Sequence, residues 1–86
     1  MEITNLEHEF VPDRFFPRVY TRFYVDGIKH YYMTAKGEPH PQMVQWWEPN
    51  KNFVQDVVKY EYYSKCPAHI RAVVEEQVPI VAIMLS

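Results

Sequence analysis

Cysteine, glycine and long apolar runs are all scarce in this chain, and each scarcity excludes something. A single cysteine, Cys66, among 86 residues cannot close an internal disulfide, so a disulfide-stapled scaffold is ruled out; the chain reads as reduced and cytoplasmic, the preferred expectation, or as a disulfide-free secreted one. Two glycines, Gly27 and Gly37, cannot build a phosphate-cradling loop. G-x-G-x-x-G, the P-loop, G-x-S-x-G and H-E-x-x-H are all missing. The longest apolar run, Ile80 to Leu85, falls far short of the about 20 residues that a spanning helix needs. The acidic opening MEITNLEHEF has no apolar core of signal-peptide length. A soluble protein with no membrane partner is the expectation. No repeat, heptad or Gly/Ser linker interrupts the chain, and seven prolines make its connections short and stiff.

Charge is also nearly balanced. Nine Lys and Arg against eleven Asp and Glu leave a formal charge of −2, which argues against a surface that binds nucleic acid by bulk electrostatics. The local distribution is uneven, because Arg14, Arg18, Arg22, Lys29 and Lys36 are opposed between positions 14 and 36 only by Asp26.

Aromatics are what the chain has in surplus: Phe, Trp and Tyr make up 16% of it. A single domain over residues 1–86 is expected, with 1–17 irregular or loosely extended. From Arg18 onward the pattern is clearer. Arg18 to Val25 and Ile28 to Ala35 are rich in β-branched and aromatic residues, and Asp26-Gly27 between them signals a two-residue type I′ hairpin. That loop sets the register, pairing Val25 with Ile28, Phe23 with His30, Thr21 with Tyr32 and Val19 with Thr34. Those residues share one face, which reads as core. The other face carries Tyr20, Arg22, Tyr24, Lys29, Tyr31 and Met33, phenols alternating with cations.

Beyond the hairpin, Lys36 to Pro41 reads as a turn. Pro41 followed by Met43, Val44 and Trp47 predicts a short middle helix ended by Pro49. The run Phe53 to Tyr63 fits either period, and Val57 to Tyr63 is assigned as a strand. Ser64 to Pro67 reads as a helix start, with Ile70, Val73, Val74 and Gln77 on one face of a helix of about three turns. Val78 to Leu85, apolar and β-branched, predicts a buried strand. The expected fold class is α+β: a mixed or antiparallel sheet of about four strands, one face covered by the helix of the C-terminal half.

The chemical candidates are thin. Cys66-x-x-His69 has a metal-like spacing, but His8, His30 and His40 lie singly and far apart, so no metal site is assigned. Cys66 at a helix start invites a nucleophile with a lowered thiol pKa, yet no recognised Cys-His arrangement accompanies it. Glu75-Glu76 are neighbours on a helix and do not face each other. No catalytic residue and no cofactor are assigned. Tyr and Arg are the residue types that dominate protein interfaces, so the sequence reads as a non-enzymatic protein-binding domain: an adaptor, inhibitor or regulator. Its partner-binding residues would be Tyr20, Arg22, Tyr24, Lys29, Tyr31 and Trp46, and its partner another protein or a second copy of itself. The alternative is single-stranded nucleic acid, bases stacking on the phenols while cations follow the phosphates. A small enzyme using Cys66 or a histidine is the third reading, and a hairpin face covered internally by the chain's own helix would need no partner at all.

Overall fold

A computed structural model describes residues 1–52 and 54–86. The α+β class holds, with five strands in one antiparallel sheet: β1 (Ile3–Val11), β2 (Arg18–Val25), β3 (Ile28–Ala35), β4 (Met43–Glu48) and β5 (Val57–Tyr62), paired in chain order. A 3-10 turn over Tyr63–Lys65 leads into one helix, α1 (Ala68–Leu85). Every cross-strand partner predicted for the hairpin is found, from Val25 with Ile28 to Val19 with Thr34. Asp26 and Gly27 take φ values of 51° and 83°, the left-handed pair that a type I′ turn requires.

Three expectations are corrected. The segment Met43–Glu48 is a strand and no middle helix forms. Its side chains alternate, with Val44 fully buried on one face, and that period of two wins over the apparent helical spacing because β4 fills the place beside β3. Residues Ile3–Val11 form a regular edge strand interrupted by a bulge between Thr4 and Glu7; Asn5, at φ 54°, absorbs the kink. The C-terminal run is not a strand. The helix continues through Pro79 to Leu85, and its buried positions Ile70, Val73, Val74, Gln77, Val81 and Leu85 keep the helical period to the end. The strand assigned over Val57 to Tyr63 stands one residue shorter, and Phe53, which opened that ambiguous run, lies outside the described residues.

The core sits between α1 and one face of the sheet. Phe23, Val25, Tyr32 and Val44 pack with Cys66, Ile70, Val73 and Val74, and a second group joins Val19 to Val81 and Leu85. Burial of a side chain such as Phe23, fully excluded from water, contributes on the order of 1.5–3 kcal/mol. One polar chain crosses this layer. Nε2 of His8 donates to Oε1 of Gln77 at 2.8 Å, and its Nδ1 lies 2.8 Å from the Thr21 hydroxyl, so β1, β2 and α1 are tied together where Gln77 and Thr21 are buried. Among the described residues, no helix is long and apolar enough to cross a membrane.

Candidate functional site

Because α1 covers the face bearing Val19, Thr21, Phe23 and Val25, the opposite face of the sheet has no layer over it among the described residues. The register carries that open face across all the strands. Tyr24 is opposite Lys29, Arg22 opposite Tyr31 and Tyr20 opposite Met33; Tyr31 is opposite Gln45, and Gln45 opposite Tyr60. Trp47 pairs with Val58 and Met43 with Tyr62. The result is a half-exposed aromatic field with polar groups set into it. At its centre is a shallow depression of about 230 Å³ lined by Glu9, Tyr20, Arg22, Lys29, Tyr31 and Trp47.

Five of the six sequence-assigned residues meet here: Tyr20, Arg22, Tyr24, Lys29 and Tyr31. Trp46 does not. In a strand, neighbours point to opposite faces, and Trp46 lies on the helix side, stacked at 5.7 Å on His30, which itself stacks at 5.4 Å on Phe23. Its indole N–H donates to Oε1 of Glu48 at 2.9 Å. The tryptophan of the open face is Trp47. The expected short helix gives no such alternation; in the strand that forms instead, Trp46 and Trp47 fall on opposite faces.

The rings of this face are positioned by one another. Tyr31 and Trp47 stack with centroids 5.1 Å apart, Tyr20 lies 6.4 Å from Tyr31, and the Lys29 ammonium sits 5.3 Å above the Trp47 ring, a favourable cation–π placement. The Tyr31 hydroxyl donates to Oε1 of Gln45 at 2.6 Å. Only two residue pairs, His30 with Trp46 and Tyr31 with Gln45, join β3 to β4. The aromatic stacks therefore reinforce this short seam on both faces of the sheet. Toward β5 the surface becomes more exposed: Tyr60 is 60% and Tyr62 46% accessible.

Electrostatically the face is less basic than the sequence implied. Arg22 forms an ion pair and hydrogen bond with Glu9, brought in by β1. Arg18 faces Asp13 at 3.9 Å, donates to the Phe16 carbonyl at 3.0 Å and to the Tyr20 hydroxyl at 3.3 Å, and lies over the Phe16 ring. The Asp13 carboxylate accepts from the backbone N–H groups of Phe15 and Phe16, which, with Arg18 nearby, hold its pKa below the usual value. These carboxylates lie upstream of position 14, so the count over the hairpin alone could not see them.

The remaining sequence candidates lie elsewhere. Cys66 is buried beneath α1 with its thiol 3.9 Å from the Glu61 carbonyl oxygen. Burial, followed by the nearby Glu61 carboxylate, pushes its pKa up, the reverse of the lowering expected at a helix start. His40 packs at 4.4 Å on Tyr63, whose hydroxyl donates to Glu75 at 3.3 Å. Among the described residues no group of His, Cys, Asp and Glu is arranged to hold a metal ion. Compared with family models, with curated proteins and with solved structures, the chain finds no match in any of the three.

Proposed function

We propose that this small α+β domain is a non-enzymatic protein-binding module that docks a partner protein on the open face of its sheet. The observation that carries the reading is the placement of α1, which leaves Tyr20, Arg22, Tyr24, Lys29, Tyr31 and Trp47 together on an uncovered surface. Rigid aromatic rings supply large contact area at low entropic cost, and Arg and Lys supply directional hydrogen bonds around them. Contiguous exposed apolar surface of this kind characterises interaction sites.

The choice of a protein over a nucleic acid follows from the commitment of the cations. Arg22 and Arg18 already face Glu9 and Asp13, and Glu9 itself lines the depression. A strand of phosphates would have to displace both carboxylates, whereas a protein partner can meet a surface of mixed sign. The test is affinity capture with the wild-type chain beside the double variant Arg22→Ala, Tyr31→Ala. A stoichiometric protein partner lost from the variant supports the reading. Capture unchanged by the substitutions, or steeply salt-dependent binding of single-stranded RNA or DNA to the same face, overturns it.

A further inference from the structure

We propose that the free edge of β5 is a homodimer interface, pairing antiparallel with β5 of a second copy in the register that centres Tyr60 on the twofold axis. This inference is independent of what the open face binds.

The two edges of the sheet differ. β1 is blunted by its bulge, by the left-handed Asn5 and by Glu7 and Glu9, devices that discourage a further strand. β5, by contrast, pairs with β4 without interruption from Tyr62 to Val57 and contains no proline. Its backbone directions can be read from one bond: the N–H of Tyr63 donates to the Gln42 carbonyl at 2.9 Å. In an antiparallel ladder these directions alternate. Glu61, Lys59 and Val57 therefore turn their backbone groups toward β4, and Tyr62, Tyr60 and Val58 turn theirs to the free edge. Consistent with this, the Tyr62 N–H is occupied by the Glu61 carboxylate at 2.9 Å rather than by a strand.

Two such edges can hydrogen-bond only if outward residues meet outward residues, so a symmetric pairing must be centred on a residue and not between two. Three centres give a substantial overlap. Centring on Lys59 sets two ammonium groups against each other, and centring on Glu61 opposes two carboxylates. Centring on Tyr60 places Lys59 opposite Glu61 of the partner subunit, twice by symmetry, with Val58 opposite Tyr62 of the partner subunit and the two Tyr60 residues face to face. Only this register is both hydrogen-bonded and charge-complementary, and the complement it requires is the strand's own sequence. It covers Val58, Tyr60 and Tyr62, which are 49%, 60% and 46% exposed in the single chain. Glu61 passes from its own strand's Tyr62 N–H to the opposing Lys59, releasing that N–H for the new ladder. The open aromatic faces of both copies then join into one continuous surface.

The test is the mass in solution of the full chain, by sedimentation or light scattering over a range of concentration. Wild type is expected at twice the chain mass. Lys59→Glu alone and Glu61→Lys alone each set like charges opposite one another twice and should weaken association by about 100-fold or more. An equimolar mixture of these two variants should recover dimers, because the mixed pair restores opposite charges at both positions. Tyr60→Pro removes an outward N–H that β4 does not use and should give a folded monomer by circular dichroism. A wild type that stays at single-chain mass, single variants that dimerise like wild type, a mixture that stays monomeric, or a dimeric Tyr60→Pro would each overturn the proposal.

Discussion

Trp47 stacks on Tyr31 with ring planes 24° apart on the side of the sheet that α1 does not reach. The contact bridges β3 and β4 where backbone pairing is shortest, so the open face and a structural seam share the same side chains. A surface built this way presents its rings already ordered, and less side-chain entropy remains to be lost on binding.

That arrangement predicts a separation between stability and binding. Truncating Trp47 or Tyr31 to Ala removes a half-exposed stack and should cost about 0.5–1.5 kcal/mol. Phe23→Ala empties the centre of the core and should cost about 3–5 kcal/mol. Urea denaturation of the three variants measures the difference; an equal loss in all three would mean that the open face is core.

The His8–Gln77 bond should behave as a coupled pair. Gln77→Leu leaves the half-buried His8 N–H unpaired, and His8→Leu leaves both the buried Gln77 and the Thr21 hydroxyl without it, each at a cost of about 1–3 kcal/mol, while the double replacement keeps only the Thr21 loss and so costs less than the sum of the two. A double-mutant cycle by denaturant melts is expected to show a coupling of about 1 kcal/mol or more. Strictly additive effects would show that the bond does not hold β1 to α1.

Acid should weaken the fold partly through His30. Burial between Phe23 and Trp46 lowers its pKa below 6.5, an effect that outweighs the raising influence of its Nδ1–H bond to the Ile28 carbonyl at 2.9 Å. The unfolded chain then binds the proton more readily than the folded one. The stabilising contribution is complete above pH 6.5 and is lost as the pH falls toward the lower folded-state pKa. Thermal midpoints measured downward from neutral pH should fall less steeply in His30→Phe than in wild type; identical slopes would contradict this.

The parts of the fold that were legible in the sequence were those with a local cause. Asp26-Gly27 dictates its own turn geometry, the turn dictates the register, and the register divides the aromatic residues between two faces. What was not legible depended on distant partners. β1 is acidic and largely exposed, so no hydrophobic alternation marks it; it is held by pairing with β2 and by the latch between Glu2 and Asp26. Nothing in MVQWWE separates a helix from a strand until β3 offers an edge. For the C-terminal run, its apolar, β-branched residues argued for a strand, and tertiary packing of Val81 and Leu85 against Val19 overrode them, the helix carrying Pro79 in its interior. The open face suffered accordingly: Trp47 joins it only through the β3–β4 pairing, and Tyr60 and Tyr62 only through β4–β5.

Pro79 gives that override a measurable cost. Inside a helix it cannot donate to the carbonyl one turn earlier, a penalty of about 3 kcal/mol in an unstrained interior, and it is exposed, with little packing to lose. Pro79→Ala is expected to raise stability by about 1–3 kcal/mol in urea melts. Destabilisation would show that the proline is part of how α1 fits the sheet.

Trp47 itself offers the most direct test of the central claim. In Trp46→Phe, which preserves an aromatic ring against His30, Trp47 is the only indole left in the chain, and it reports from the open face alone. When a captured partner protein is added, its emission is expected to shift to the blue and its quenching by acrylamide to fall, because the partner covers the ring. A partner that binds this variant with wild-type affinity while leaving the emission and quenching of Trp47 unchanged would contradict docking on the open face.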